Sequence, residues 1–113
     1  MTRTAFRIGD RVIDDPLDPF VIAEIGVNHG GDLALARRLV DEAADGGAAA
    51  AKFQTYKANL IASRHSPAYW DTAKEPTLSQ FELFRNFDAF GPAEYEALAG
   101  HCAARGIVFM STP

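Results

Sequence analysis

Three short apolar runs divide this chain, and the residues between them repeat with the period of a helix. Phe20-Val21-Ile22-Ala23 leads into Glu24-Ile25-Gly26. Ala48 to Phe53 carries Lys52-Phe53-Gln54 at its C-terminal end, and Ile107-Val108-Phe109-Met110 runs into Ser111-Thr112-Pro113. Continuous apolar runs of this length suit strands buried on both faces, as in a parallel sheet. Between the first two runs, Leu33, Ala36, Leu39, Val40 and Ala43 recur at helical spacing; Asp32 is placed to cap that helix and Gly46-Gly47 to stop it. Ahead of the third run, Gly91-Pro92 opens another helix, since glycine is tolerated at the N-cap and proline is favoured at the first helical position. Tyr95, Leu98 and Cys102 form its apolar face, and Gly106 ends it. Strand, helix, strand, loop plus helix, strand is the order of βαβ units, which build parallel sheets through right-handed crossovers.

The flanking segments read differently. Phe6-Arg7-Ile8 and Arg11-Val12-Ile13 alternate apolar and polar residues around Gly9-Asp10, a hairpin pattern, and Pro16 and Pro19 then interrupt regular structure. From Thr55 to about Thr77 no period dominates, which predicts a long excursion loop, and Gln80 to Phe87 has room for a helical turn or two. The organisation expected is a hairpin and lead-in over residues 1–19, then an α/β unit over residues 20–113. Three parallel strands leave two apolar edges, and a closed (β/α)8 barrel takes ~250 residues. The chain therefore reads as part of a larger parallel α/β domain; taken as a barrel, the expected fold is the N-terminal portion of a TIM barrel, truncated after its third strand.

Composition narrows the setting. Eleven Lys+Arg against fifteen Asp+Glu give a net charge of −4, and no basic stripe marks a nucleic-acid partner. A single cysteine, Cys102, has no partner for an internal disulfide and suits a reducing, cytoplasmic location. Charges interrupt the first residues before a signal peptide develops, and no stretch approaches the ~18 apolar residues of a membrane span.

The chemistry gathers at one end of the strands. Glu24, then Lys52 and Gln54, then Ser111 and Thr112 all fall where active sites assemble in parallel α/β folds. A lysine at a strand end beside glycine-rich loops suits a phosphate or carboxylate, whose hydrogen bonds the glutamine and hydroxyls can complete. Glu24 suits sugar hydroxyls or a metal-bound water. Cys102 on an apolar helix face reads as a buried thiol, not a nucleophile. His65 and His101 read as surface residues, and Tyr69 and Trp70 either cover the site or pack beneath the long loop.

These motifs also carry a resemblance. Ala23-Glu24-Ile25-Gly26-Val27-Asn28-His29-Gly30-Gly31-Asp32 resembles the first-strand signature of the N-acetylneuraminate (sialic acid) synthase family. Ala51-Lys52-Phe53-Gln54-Thr55 resembles its second-strand motif and Phe109-Met110-Ser111-Thr112-Pro113 its third. Ala68-Tyr69-Trp70-Asp71 and Ser79-Gln80-Phe81-Glu82-Leu83-Phe84 look like its long loop after the second strand. The resemblance implies a transferase of nonulosonic acid biosynthesis that condenses phosphoenolpyruvate with an N-acetylated amino sugar. It implies that Lys52, Gln54 and Thr112 contact phosphoenolpyruvate, that Glu24 is the catalytic candidate near sugar and metal, and that Asn28 and His29 shape the loop over the site. In such enzymes a divalent metal, Mn²⁺ or Mg²⁺, polarises the acceptor's aldehyde. Its ligands, like a C-terminal antifreeze-like domain, are expected beyond Pro113, so the fragment alone is expected to be inactive and the full-length enzyme a homodimer. The acceptor stays open among N-acetylmannosamine, its 6-phosphate and the precursors of legionaminic or pseudaminic acid. Two other readings fit the same residues: a non-catalytic remnant or subunit that needs a partner chain, and an aldolase-type barrel in which Lys52 forms a Schiff base.

Overall fold

The computed structural model describes residues 5–55, 65–74, 76, 78–80, 82, 85 and 89–113. Strands β1 (Phe6–Ile8) and β2 (Arg11–Ile13) pair antiparallel, with Phe6 opposite Ile13. Gly9 turns the chain between them at φ 58°, a left-handed conformation that glycine adopts without steric cost. A Cβ on Gly9 would come within 3.0 Å of Val108 Cγ2, so the turn lies directly on the start of the last strand. Arg11 holds the lead-in: it pairs with Asp18 at 2.8 Å, donates to the Pro19 carbonyl at 3.2 Å and lies over the Phe20 ring at 5.6 Å.

The main unit is β3 (Ile22–Gly26), α1 (Leu33–Asp45), β4 (Ala50–Gln54), α2 (Pro92–Ala104) and β5 (Val108–Thr112). The three strands form one parallel sheet in the order β3-β4-β5. Asp32 caps α1 as its sequence position predicts, accepting from the amides of Ala34 at 2.9 Å and Leu35 at 3.2 Å. At the other end Gly47, not Gly46, takes the left-handed turn, with φ 90°. Gly91 caps α2 with Pro92 next, and the Glu94 carboxylate reaches back to accept the Gly91 N–H at 3.0 Å.

Both helices pack on the same side of the sheet and against each other. Ile25, Ala51 and Phe53 from the strands meet Ala36 and Val40 of α1, Leu98 and Cys102 of α2, and Phe90. Burial pushes the Cys102 thiol up to about 11, which leaves it protonated and inert.

Three expectations need correction. The first strand begins at Ile22, and both Val21 and Ile22 stay about half exposed, because helices cover only one of its faces among the described residues. The second strand begins at Ala50; the amides of Ala49 and Ala50 both donate to the Val21 carbonyl, which brings the chain into register. His101 is not a plain surface residue. The packing of α2 on α1 half-buries it and sets its Nε2 2.8 Å from Asp41 Oδ1, and Arg105 bridges Asp41 and Asp45 beside it. The hydrogen bond with His101, reinforced by Arg105, holds the Asp41 carboxyl below its ordinary range.

Of the long excursion, the described residues show one closure: Pro67 bridges Ser79 antiparallel, with Ala68 N donating to Leu78 O at 3.1 Å and Gln80 N to Ser66 O at 3.0 Å. The helical turns expected over Gln80–Phe87 fall largely outside the described residues.

Leu98 is fully buried at the junction of α2 with the sheet. Leu98→Ala is expected to lower the stability of the full-length protein by about 2–4 kcal/mol, through lost transfer energy and the cavity left behind. Urea unfolding of the two proteins side by side measures this.

Candidate active site

Partners in a parallel ladder point to the same side of the sheet. Glu24 lies opposite Lys52, Lys52 opposite Met110, and Gln54 opposite Thr112. These side chains therefore share the face turned away from α1 and α2, at the C-terminal ends of the strands. Alternation sends Ile25, Phe53 and Phe109 the other way, into the core. Lys52 Nζ stands 3.4 Å from Glu24 Oε2, with the lysine one-third and the glutamate half exposed. Thr112 Oγ1 reaches back to the Phe53 carbonyl at 3.5 Å, a long contact that leaves the hydroxyl on the exposed strand end.

Gly26 shapes the floor beside them. The β3–β4 register shifts between Glu24 and Gly26, so Gly26 rather than Ile25 stands opposite Phe53. Gly26 is buried at φ 58°, and a Cβ there would lie 3.4 Å from Glu24 Oε1 and 3.9 Å from Gln54 Nε2. A carboxylate and a carboxamide thus converge over bare backbone. Gly26 stands inside the first-strand motif, where its sequence position alone assigns it no part in the site.

Asn28, His29 and Ser111 are placed elsewhere. Asn28 Nδ2 donates to the Ile25 carbonyl at 2.9 Å, bracing the turn that leaves β3. His29 lies on the helix side of the sheet, 1% exposed, stacked on Phe90 at 4.2 Å with 12° between the rings and 6.0 Å from Phe53. Its Nδ1 accepts the Gly31 N–H at 3.0 Å, which puts the ring proton on Nε2, and Nε2 has no hydrogen-bond partner among the described residues. Burial lowers the His29 pKa, so the ring is held neutral. Ser111 is one residue out of phase with Thr112, and its hydroxyl pairs with that of Thr55.

Tyr95 has a role that its place on an apolar helix face concealed. Its hydroxyl donates to the Gln54 carbonyl at 2.8 Å while its ring meets Phe90 edge to face at 5.8 Å. A half-buried tyrosine characteristically joins an apolar body to a polar tip in this way. Tyr69 and Trp70 meet edge to face at 4.9 Å, with Tyr69 three-quarters exposed. A cavity of about 560 Å³ opens at the opposite end of the strands, between the Gly9–Arg11 turn and residues such as Ala49 and Ile107. It is remote from the polar strand ends. Among the described residues no group of three His, Cys, Asp or Glu gathers to hold a metal ion, and no helix is long and apolar enough to cross a membrane.

A parallel strand–helix–strand sheet that brings an acid, an ammonium and a carboxamide together at its carboxyl edge has the layout of an α/β enzyme site. Comparison with known proteins makes the class specific. The NeuB family model matches residues 39–113, and the chain belongs to the NeuB family. It is 35% identical over 96% of its length to the spore coat polysaccharide biosynthesis protein SpsE of Bacillus subtilis, and 37% identical over 82% to the N,N'-diacetyllegionaminic acid synthase of Legionella pneumophila. It spans 28% of the first relative and 26% of the second. A crystal structure of N-acetylneuraminic acid (sialic acid) synthetase from Leptospira borgpetersenii, in complex with citrate, superposes with a TM-score of 0.75 at 32% identity. That match covers 98% of this chain and 34% of the synthetase.

Two outcomes test this geometry. Gly26→Ala is expected to cost about 1–2 kcal/mol for the left-handed backbone and to place a methyl against Glu24 and Gln54; thermal unfolding and activity assays read the two effects separately. His29 has a folded pKa below its unfolded value. It therefore adds stability above the ordinary histidine range near 6.5, and that stability is lost as pH falls toward the folded pKa. Urea midpoints at pH 7.5 and 5.5 are expected to drop more steeply in the parent than in His29→Gln.

Proposed function

We propose that this chain supplies the first three strands of a (β/α)8-barrel synthase that condenses phosphoenolpyruvate with an N-acetylated amino sugar to give a sialic-acid-type nonulosonic acid and phosphate. The observation that carries the reading is the juxtaposition of Lys52, Glu24 and Gln54 at the carboxyl ends of β3 and β4, in a chain of the NeuB family. The names of the relatives, synthases of legionaminic and sialic acids, support the reaction class.

In this reading the Lys52 ammonium pairs with the phosphate or carboxylate of phosphoenolpyruvate, a charge-assisted contact worth more than a neutral hydrogen bond. The Gln54 carboxamide and the Thr112 hydroxyl complete the anion's hydrogen bonds, and Glu24 faces the acceptor sugar. Carbon 3 of phosphoenolpyruvate attacks the aldehyde carbon of the open-chain sugar, forming the new C–C bond. The oxygen of water joins carbon 2, the C–O bond to phosphate breaks, and phosphate leaves with the bridging oxygen. The divalent cation, Mn²⁺ or Mg²⁺, belongs to the same proposal. The described residues do not form its site, and we assign its ligands to other parts of the protein. The isolated 113 residues are then inactive, and the whole enzyme works as a cytoplasmic homodimer.

The full-length protein is expected to release phosphate from phosphoenolpyruvate only when an N-acetylated amino sugar and a divalent cation are both present. N-acetylmannosamine, its 6-phosphate and the bacillosamine-derived precursors form the acceptor panel. Lys52→Met is expected to lower kcat/KM for phosphoenolpyruvate by roughly 30- to 100-fold, the size of a lost charged hydrogen bond. No phosphate release with any acceptor sinks the proposal.

A further inference from the structure

Lys52 and Glu24 are the only charged side chains that the described residues of β3, β4 and β5 present on the sheet face opposite the helices, and they are spent on each other. The contact is a single one at 3.4 Å, between an ammonium one-third exposed and a carboxylate half exposed. Pairs of this kind contribute little, since solvent screens them and two long side chains lose freedom to hold them. Neither group is locked: Glu24 Oε2 faces the lysine while Oε1 lies beside bare Gly26 backbone, with Gln54 Nε2 bordering the same space.

We propose that Glu24 is a built-in placeholder for the substrate anion: its carboxylate and the phosphate or carboxylate of phosphoenolpyruvate take turns on the Lys52 ammonium. The proposal rests on the reading that Lys52 receives an anion, and adds that Glu24 opposes that step. An anion approaching Lys52 must displace Glu24 and then sit beside its negative charge. Once displaced, the Glu24 carboxylate has the open Gly26 floor to turn over, away from the lysine. The same residue thus lowers affinity for the first substrate and is released by it. Lys52 also stays paired when no anion is present, so its ammonium is not left as the one unbalanced charge among the described residues of that sheet face.

The consequence is opposite to what loss of an ordinary substrate-binding residue gives. Glu24→Gln keeps the shape of the side chain, removes the competing charge and should bind the anion more tightly even as turnover falls. The experiment is calorimetric titration of the full-length protein and its Glu24→Gln variant with phosphoenolpyruvate and, separately, with inorganic phosphate. Thermal unfolding confirms that both proteins are folded; Glu24 is half exposed, so the substitution leaves the core untouched. The expected result is about three- to tenfold tighter binding of both anions by the variant at low salt, with the difference shrinking as salt screens the pair. Unchanged or weaker binding in the variant overturns the exchange and leaves the synthase reading standing. If phosphoenolpyruvate fails to bind either protein while phosphate still binds the variant more tightly, the synthase reading falls and the exchange survives. If neither anion binds either protein, both are overturned.

Discussion

The parallel pairing of β4 with its two neighbours is the constraint on which the rest of the structure depends. A strand turns successive side chains to opposite faces, so fixing Lys52 opposite Glu24 on one side and Met110 on the other also fixes Phe53 into the core. A slip of one residue in that register would bury the lysine against α1 and α2 and turn the phenylalanine outward. The apolar packing of Phe53 with Ile25, Val40, Leu98 and Cys102 is therefore also what presents Lys52 and Gln54 on the far face. Stability and site geometry come from one set of contacts.

A second layer behind the site ties its loops together. His29 hangs from the turn after β3, stacks on Phe90 just ahead of α2, and lies near Phe53 of β4. Tyr95, from the first turn of α2, packs on Phe90 and hydrogen-bonds the carbonyl of Gln54. The aromatic rings supply the apolar contact area, while the Gly31 amide and the Gln54 carbonyl fix the orientation of their polar edges. The chain pieces that carry Gly26 and Gln54 are thus braced from the helix side, and neither His29 nor Tyr95 needs to touch a substrate to influence where those residues stand.

The opposite end of the strands is managed by different means. The Gly9 turn lies on Val108, and Arg11 fastens the lead-in through Asp18, the Pro19 carbonyl and the Phe20 ring. On the outer surface Arg105 clamps the two helices through ion pairs with Asp41 and Asp45, and His101 adds a hydrogen bond with Asp41. These contacts are half exposed, and such pairs contribute modestly; they align helices that the core already holds.

The sequence by itself determined the order of elements, the caps at Asp32 and Gly91-Pro92, and the residues Glu24, Lys52 and Gln54 as candidates. All of these follow from local rules: apolar runs at strand length, helical spacing, capping chemistry, and polar residues at strand ends. What only the tertiary structure decided was which polar residues face each other. Ser111 and Thr112 are neighbours with the same kind of hydroxyl, and only the register with Phe53 and Gln54 sends them to different sides. His29 sits in a glycine-rich loop whose sequence leaves its burial open, and only the stacking on Phe90, sixty-one residues away in sequence, buries it. Gly26 gained its role when a register shift set it beneath Glu24 and Gln54, and Tyr95 when α2 was laid against the end of β4. Local propensity is written in a few neighbouring residues, whereas facing, burial and partnership depend on contacts between segments far apart in the chain, and those exist only once the sheet has formed.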